Sequence, residues 1–226
     1  MTEEKWLGTN SHVPLWAVLK TTSNRKLRLL ACACCRSIWH LILDPRSQQA
    51  VATAELYADG HVARRELHAR ELLASAARED FVGSLPDGTD FAHDPRHSAL
   101  WAVECAARIN KKWTRWATDS VVGAQCLERP DAEPTSFVEG PSTADLARDI
   151  FGNPFRPVEI DPRWLTSNVV DLSRFIYDER AFDRMPILAD ALMDAGCDSE
   201  EIIHHCRGDG PHVRGCWVVD LLLGKE

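Results

Sequence analysis

The stretch KLRLLACACCRSIWHLIL, residues 26–43, decides the fold class. Leu27, Leu30, Ala31, Cys34, Ile38 and Leu41 recur at three- and four-residue spacing, which puts them on one face of an α-helix. Ser23 or Asn24 stands in place to cap it.

The same punctuation continues outward. Asp44-Pro45, Asp94-Pro95 and Asp161-Pro162 each set a capping carboxylate before a proline, whose missing N–H costs nothing in a first helical turn. The first predicts a helix to about Asp59 that Gly60 closes, and a second helix is expected over Val62 to Arg78. Residues 83–95, GSLPDGTDFAHDP, read as a loop. The longest helix is expected from His97 to about Leu127, with Trp101, Cys105, Ile109, Trp113 and Trp116 as its apolar stripe.

Three prolines and a glycine break the pattern at 129–142, RPDAEPTSFVEGPS, the one stretch that reads as a flexible loop or linker. Ser142 with Asp145 can start a short helix ending before Gly152, and the proline-rich 151–162 reads as an ordered connection. Apolar faces then recur at Trp164 to Ile176 and at Phe182 to Leu192, the latter closed by Gly196. Asp198 with Glu201 forms a capping box for a helix to His205, and Pro211 is expected to open a last helix that Gly224 ends. With no alternating run, the expectation is all-α: an irregular bundle of about eight to ten helices in a single domain, 1–226, the middle pair forming a partly separate hairpin.

Hydrophobic residues at 45% and charged residues at 27% fit a folded globule and exclude a disordered chain. The formal net charge of −8 repels phosphate backbones and anionic lipid, so a nucleic-acid role would need a local basic patch. The acidic start MTEEKWLGTN lacks an apolar h-region, and no run of about 18 apolar residues occurs. A cytoplasmic protein with eight reduced cysteines follows as the expectation.

Two stretches carry a resemblance: KLRLLACACCRSIWHLILDPRSQQAVATAELYADG at 26–60, and 148–226, which includes IYDERAFDRMPILADALMDAGCD and HCRGDGPHVRGCWVVDLLLGKE. Together they resemble uncharacterised proteins of planctomycete-type bacteria. The resemblance implies a bacterial cytoplasm and brings no activity or catalytic residue with it. PILADALMDAGCD is also similar to a short helical unit found beside repeats in such bacteria, which implies an interaction module.

Three constellations could carry chemistry. Cys32 and Cys35 are three apart on one helix and His212 and Cys216 four apart on the expected last helix, so four soft ligands could converge on zinc if those helices meet. Cys197, His205 and Cys206 are further donors, although cysteines inside helices of a reduced protein also serve as core filler. The loop HHCRGDGPHVRGC at 204–216 could hold a small anion through His205, Arg207, His212 and Arg214. Within it Asp209, His212 and Cys216 could supply acid, base and nucleophile, and a glycine-permitted turn with paired arginines explains the same residues.

The third is RINKKWTRW at 108–116, where Arg108, Lys111, Lys112 and Arg115 gather beside tryptophans, as a nucleic-acid strip or as a solvated face. Metallopeptidase, nucleophile-elbow, P-loop, dinucleotide and zinc-deaminase signatures are absent. No catalytic residue is assigned. The expected function is a non-enzymatic interaction or regulatory module with a protein partner. The alternatives are an enzyme or a metal- or anion-binding protein centred on 204–216, and a nucleic-acid-associated protein using 108–115.

Overall fold

Every residue from Leu27 to Cys35 is buried in helix α3, Asn24–Ser37, including the side chain of Arg28. In the computed structural model, which describes residues 1–19, 22–108, 110, 112–128 and 141–225, this helix is the central post of one compact unit, Leu19–Thr143. Ser23 is its cap, accepting the Lys26 N–H at 3.2 Å. The helix stops short of Leu43: the Ser37 hydroxyl donates to the Cys34 carbonyl at 2.8 Å, and a tighter 3-10 turn, Trp39–Leu41, follows. Serine competing for helix carbonyls, followed by branched and aromatic residues, accounts for the early end.

Around α3 pack α4, Pro45–Ala58, α6, Pro95–Ala107, and α7, Lys112–Glu128, while α5, Arg64–Gly83, lies against α4 and α6. Asp44 and Asp94 each accept the amide N–H two residues on at 2.8 Å, as their Asp-Pro pairs predict. Gly60 closes the α4 turn at φ 77°, a left-handed conformation that favours glycine.

The single helix expected over 97–127 is two, α6 and α7, because Arg28 reaches across and donates to the carbonyls of Ala106, at 2.8 Å, and Arg108, at 2.9 Å. Those bonds satisfy carbonyl groups that a continuing helix would have used itself. The expected separate hairpin is also corrected: α5, α6 and α7 belong to the same packed unit as α3 and α4. Of the expected linker, residues 129–140 lie outside the described residues.

The chain packs as two compact units, the other comprising Met1–Val18 and Ala144–Glu226. It contains α1, Glu3–Gly8, most of α2, Trp16–Leu19, and of α8, Thr143–Phe151, then α9, Ser167–Glu179, α10, Met185–Asp194, α11, Glu200–Arg207, and α12, Trp217–Leu223. All twelve are α-helices and the described residues include no strand, so the all-α class holds. Segments 26–60 and 148–226 fall in different units.

In the second-named unit the chain start is clamped to the end of α8. The buried Trp6 indole donates to the Gly152 carbonyl at 3.0 Å, and Arg148 donates to the carbonyls of Trp6, at 3.1 Å, and Thr9, at 2.8 Å. Helices α9 to α12 close a core of Trp164, Val169, Ile176, Leu188, Ile202 and Val219. Three local expectations change here. Asp161-Pro162 opens a 3-10 turn, Pro162–Trp164, and Thr166 caps α9. Ser199 rather than Asp198 caps α11, accepting the Ile202 N–H at 3.4 Å. Residues 211–216 are not helical, and the last helix begins only after Cys216, so His212 and Cys216 do not share a helix face.

Candidate metal centre

Helix α8 carries a carboxylate among its apolar residues: Leu146, Asp149 and Ile150 are all buried. A lone ionised carboxylate there would be prohibitively costly, so its partners define the site. Asp149 Oδ1 lies 3.1 Å from His212 Nδ1 and 3.2 Å from His205 Nε2, and Oδ2 accepts the Val213 N–H at 2.9 Å. His205 Nε2 also lies 3.1 Å from Cys216 Sγ.

Each member is delivered by a different piece of chain. Asp149 comes from the last turns of α8, His205 from the end of α11, His212 from the following non-helical segment, and Cys216 from the residue before α12. The turn at Gly152, φ 62°, brings α8 to its end beneath the Trp217 ring, where an added Cβ would sit 3.1 Å from Trp217 Cγ. That ring packs 5.1 Å from His205, whose own ring meets His212 edge-on at 4.8 Å.

The four donor atoms all lie within 4.8 Å of one another. Side-chain exposure is 1% for Asp149, 9% for His212 and 19% for His205, and Cys216 is fully buried. Burial pushes the Asp149 carboxyl up, but hydrogen bonds from His205 and His212 and the charges on those rings outweigh it and hold it below the ordinary carboxylate range. Burial, with the Asp149 charge beside it, pushes the Cys216 thiol well above its usual value, while the amides of Val219 and Val218 pull the other way. A buried thiol of this kind is a poor nucleophile, whereas a cation at the centre of the group would convert it to a thiolate.

The set fits a tetrahedral divalent ion. Zinc bonds of about 2.0–2.3 Å to oxygen, nitrogen and sulfur place neighbouring ligands ~3.3–3.7 Å apart; the contacts of 3.1 to 3.2 Å would widen slightly and the wider pairs, within 4.8 Å, would close in around the ion. His212 Nε2 is buried without a hydrogen-bond partner among the described residues, so only the Nδ1 side of that ring is engaged.

Of the residues singled out in the sequence, His212 and Cys216 are in this group and His205 joins them, whereas Cys32 and Cys35 are not in it. Both lie on α3 in the other unit, Cys32 pointing its Sγ at the Val51 carbonyl at 3.9 Å. The expected anion pair is engaged elsewhere: Arg207 pairs with Asp190 at 2.6 Å, and Arg214 lies over the Tyr177 ring at 4.5 Å. Asp209 is exposed, and the partner of His212 is Asp149.

The basic strip is also interrupted. Arg108 sits beyond the end of α6, paired with Glu104 and Glu71 and stacked 4.0 Å from the Trp113 ring. Arg115 faces Asp119 at 3.6 Å, Lys112 is exposed, and Lys111 lies outside the described residues. Asp149 escaped the sequence reading; its signal was an acid at the three-residue spacing from Leu146 and next to Ile150, inside an apolar helical face.

Comparison with family models, with curated proteins and with solved structures finds no match to this chain. No helix among the described residues is long and apolar enough to cross a membrane.

Proposed function

We propose that the unit formed by residues 1–18 and 144–226 is a zinc-binding helical module in which the metal organises structure rather than performs chemistry. One observation carries the reading: the same atom, His205 Nε2, faces both Asp149 Oδ1, at 3.2 Å, and Cys216 Sγ, at 3.1 Å. A Cys-His-Asp relay needs the carboxylate on one ring nitrogen and the thiol on the other, because a single nitrogen cannot donate to the first while accepting from the second. Donors crowded around one point are instead the arrangement a cation requires.

Four protein donors complete a tetrahedral shell and leave no open position for water or substrate, which is the pattern of structural rather than catalytic zinc. Three of the four belong to the 204–216 stretch and the fourth to α8, so the ion would fasten that stretch to the helix on which the chain start is clamped. Such a fastening suits the non-enzymatic module read from the sequence, which presents helix faces and this loop to a protein partner in the cytoplasm of a bacterium.

Elemental analysis of the purified protein tests the reading. One zinc per chain is expected, with D149A, H205A, H212A and C216S each losing it. Cobalt substitution is expected to give a tetrahedral spectrum with a single thiolate-to-metal band that C216S abolishes and C35S retains. A protein that takes up no metal after reduction and dialysis against zinc or cobalt would end the proposal.

A further inference from the structure

A groove of about 730 Å³ opens in the other unit, lined among the described residues by Arg64, Arg65, His68, Glu71, Arg108 and Trp113. Its charges do not balance. Glu71 is already shared, Oε2 with His68 Nδ1 at 3.1 Å and Oε1 with Arg108 Nε at 3.5 Å. Glu104, just behind, is shared by Arg78 and Arg108. Arg64 and Arg65 are exposed, and neither has an acidic partner among the described residues. Two guanidinium groups are therefore left over in a chain whose formal net charge is −8.

The first turn of α5 holds one acid, Glu66, which makes no ion pair with either arginine among the described residues. These arginines occupy the first turn of α5, where cations oppose the helix dipole, and Ala63 in the cap position offers no side-chain acceptor. His68 lines the same groove and engages Glu71 through Nδ1. Adjacent arginine forks, an imidazole ring and one wall of indole make a groove of ordinary small-ligand volume whose guanidinium donors match phosphate oxygens.

We propose that this groove binds a small compound carrying a di- or triphosphate group, held by Arg64 and Arg65, with His68 and Trp113 as its walls. A dianion or trianion matches the two unspent charges. A single carboxylate would leave one of them unmet. The chain's acidic field and the engagement of Arg108 with acids disfavour a long nucleic-acid track.

Titration calorimetry of the full chain with inorganic pyrophosphate, with ATP and with a single-stranded RNA oligomer, without added divalent metal and at about 50 mM salt, tests it. Pyrophosphate and ATP are expected to bind one per chain, and R64Q/R65Q is expected to weaken both at least tenfold while its circular dichroism matches wild type. A stronger response to ATP than to pyrophosphate that W113L removes identifies a nucleotide; equal responses identify the phosphate group alone. Either supports the site. No heat at millimolar pyrophosphate and ATP, affinity unchanged in R64Q/R65Q, affinity that follows C216S rather than R64Q/R65Q, or binding of RNA alone would each overturn it. Should R64Q/R65Q unfold, the single variants R64Q and R65Q serve, each expected to weaken pyrophosphate binding severalfold, and unchanged affinity in both overturns the proposal.

Discussion

Cys35 in α3 and Cys216 before α12 are both fully buried, and burial pushes both thiols well above their usual value, yet their neighbours differ in kind. The groups acting on Cys35 are Cys32, Cys34, Cys105 and Glu55, with no imidazole among them, and Glu55 is already gripped by Arg36 through two bonds of 2.7 Å. Cys216 has an imidazole at 3.1 Å and, next to it, a buried carboxylate shared by two histidines. A dense run of cysteines thus fills a core, while one cysteine joins two histidines and an acid in a group that could hold a metal.

The contrast breaks hardest at Asp149. Removing it in D149A leaves two histidines and the Val213 N–H without their shared acceptor, and losing one partner of a buried pair costs ~3–5 kcal/mol. Urea unfolding of the metal-free protein is expected to show that loss. C35A, at the opposite pole, is expected to cost about 1–2 kcal/mol for a small cavity and to leave metal content unchanged.

Metal removal sharpens the same contrast. Chelation is expected to raise amide hydrogen exchange by more than tenfold over 204–216 and at the end of α8, with α3 and α4 unaffected, because a structural ion stabilises only the segments that it joins. Equal loosening of α3 would place the metal elsewhere.

Proton competition gives a third measure. Because Cys216 carries its proton to well above the ordinary thiol value, zinc must displace it, so apparent affinity should climb about tenfold per pH unit through neutrality. In the metal-free protein the depressed Asp149 carboxyl contributes stability that is present above the unfolded value of about 3.9 and is lost as pH falls through its lower folded value. D149N should flatten that acid limb.

An effect as small as that of C35A is expected at the turn beneath the site. G152A forces alanine into a left-handed φ of 62° and sets its Cβ about 3.1 Å from the Trp217 ring, costing ~1–2 kcal/mol. Trp217 fluorescence should shift with it, since that ring also packs on His205.

Much of the helical plan was legible because its signals are local. Asp44, Asp94 and Gly60 act on amides or dihedrals a residue or two away, so spacing alone placed the starts of α4 and α6 and the end of α4. Breaks made by distant groups were not legible: α6 and α7 are separate because Arg28, about eighty positions earlier in the chain, takes the carbonyls at the junction. The helix start expected at Pro211 is also absent. The segment after it runs without helix through 211–216, its Val213 N–H donating to Asp149 of α8.

By itself the sequence determined the helical class, the concentration of donors at 204–216 and the soft character of any ion that they would hold, since residue type and short-range spacing settle those. Tertiary packing alone decided which donors meet. Asp149 stands 56 residues from His205 and 67 from Cys216, and Cys32 and Cys35 are spent on a core. The physical reason is that a buried charge must find opposite or hydrogen-bonding partners wherever the fold brings them, and nothing in local spacing records that distance.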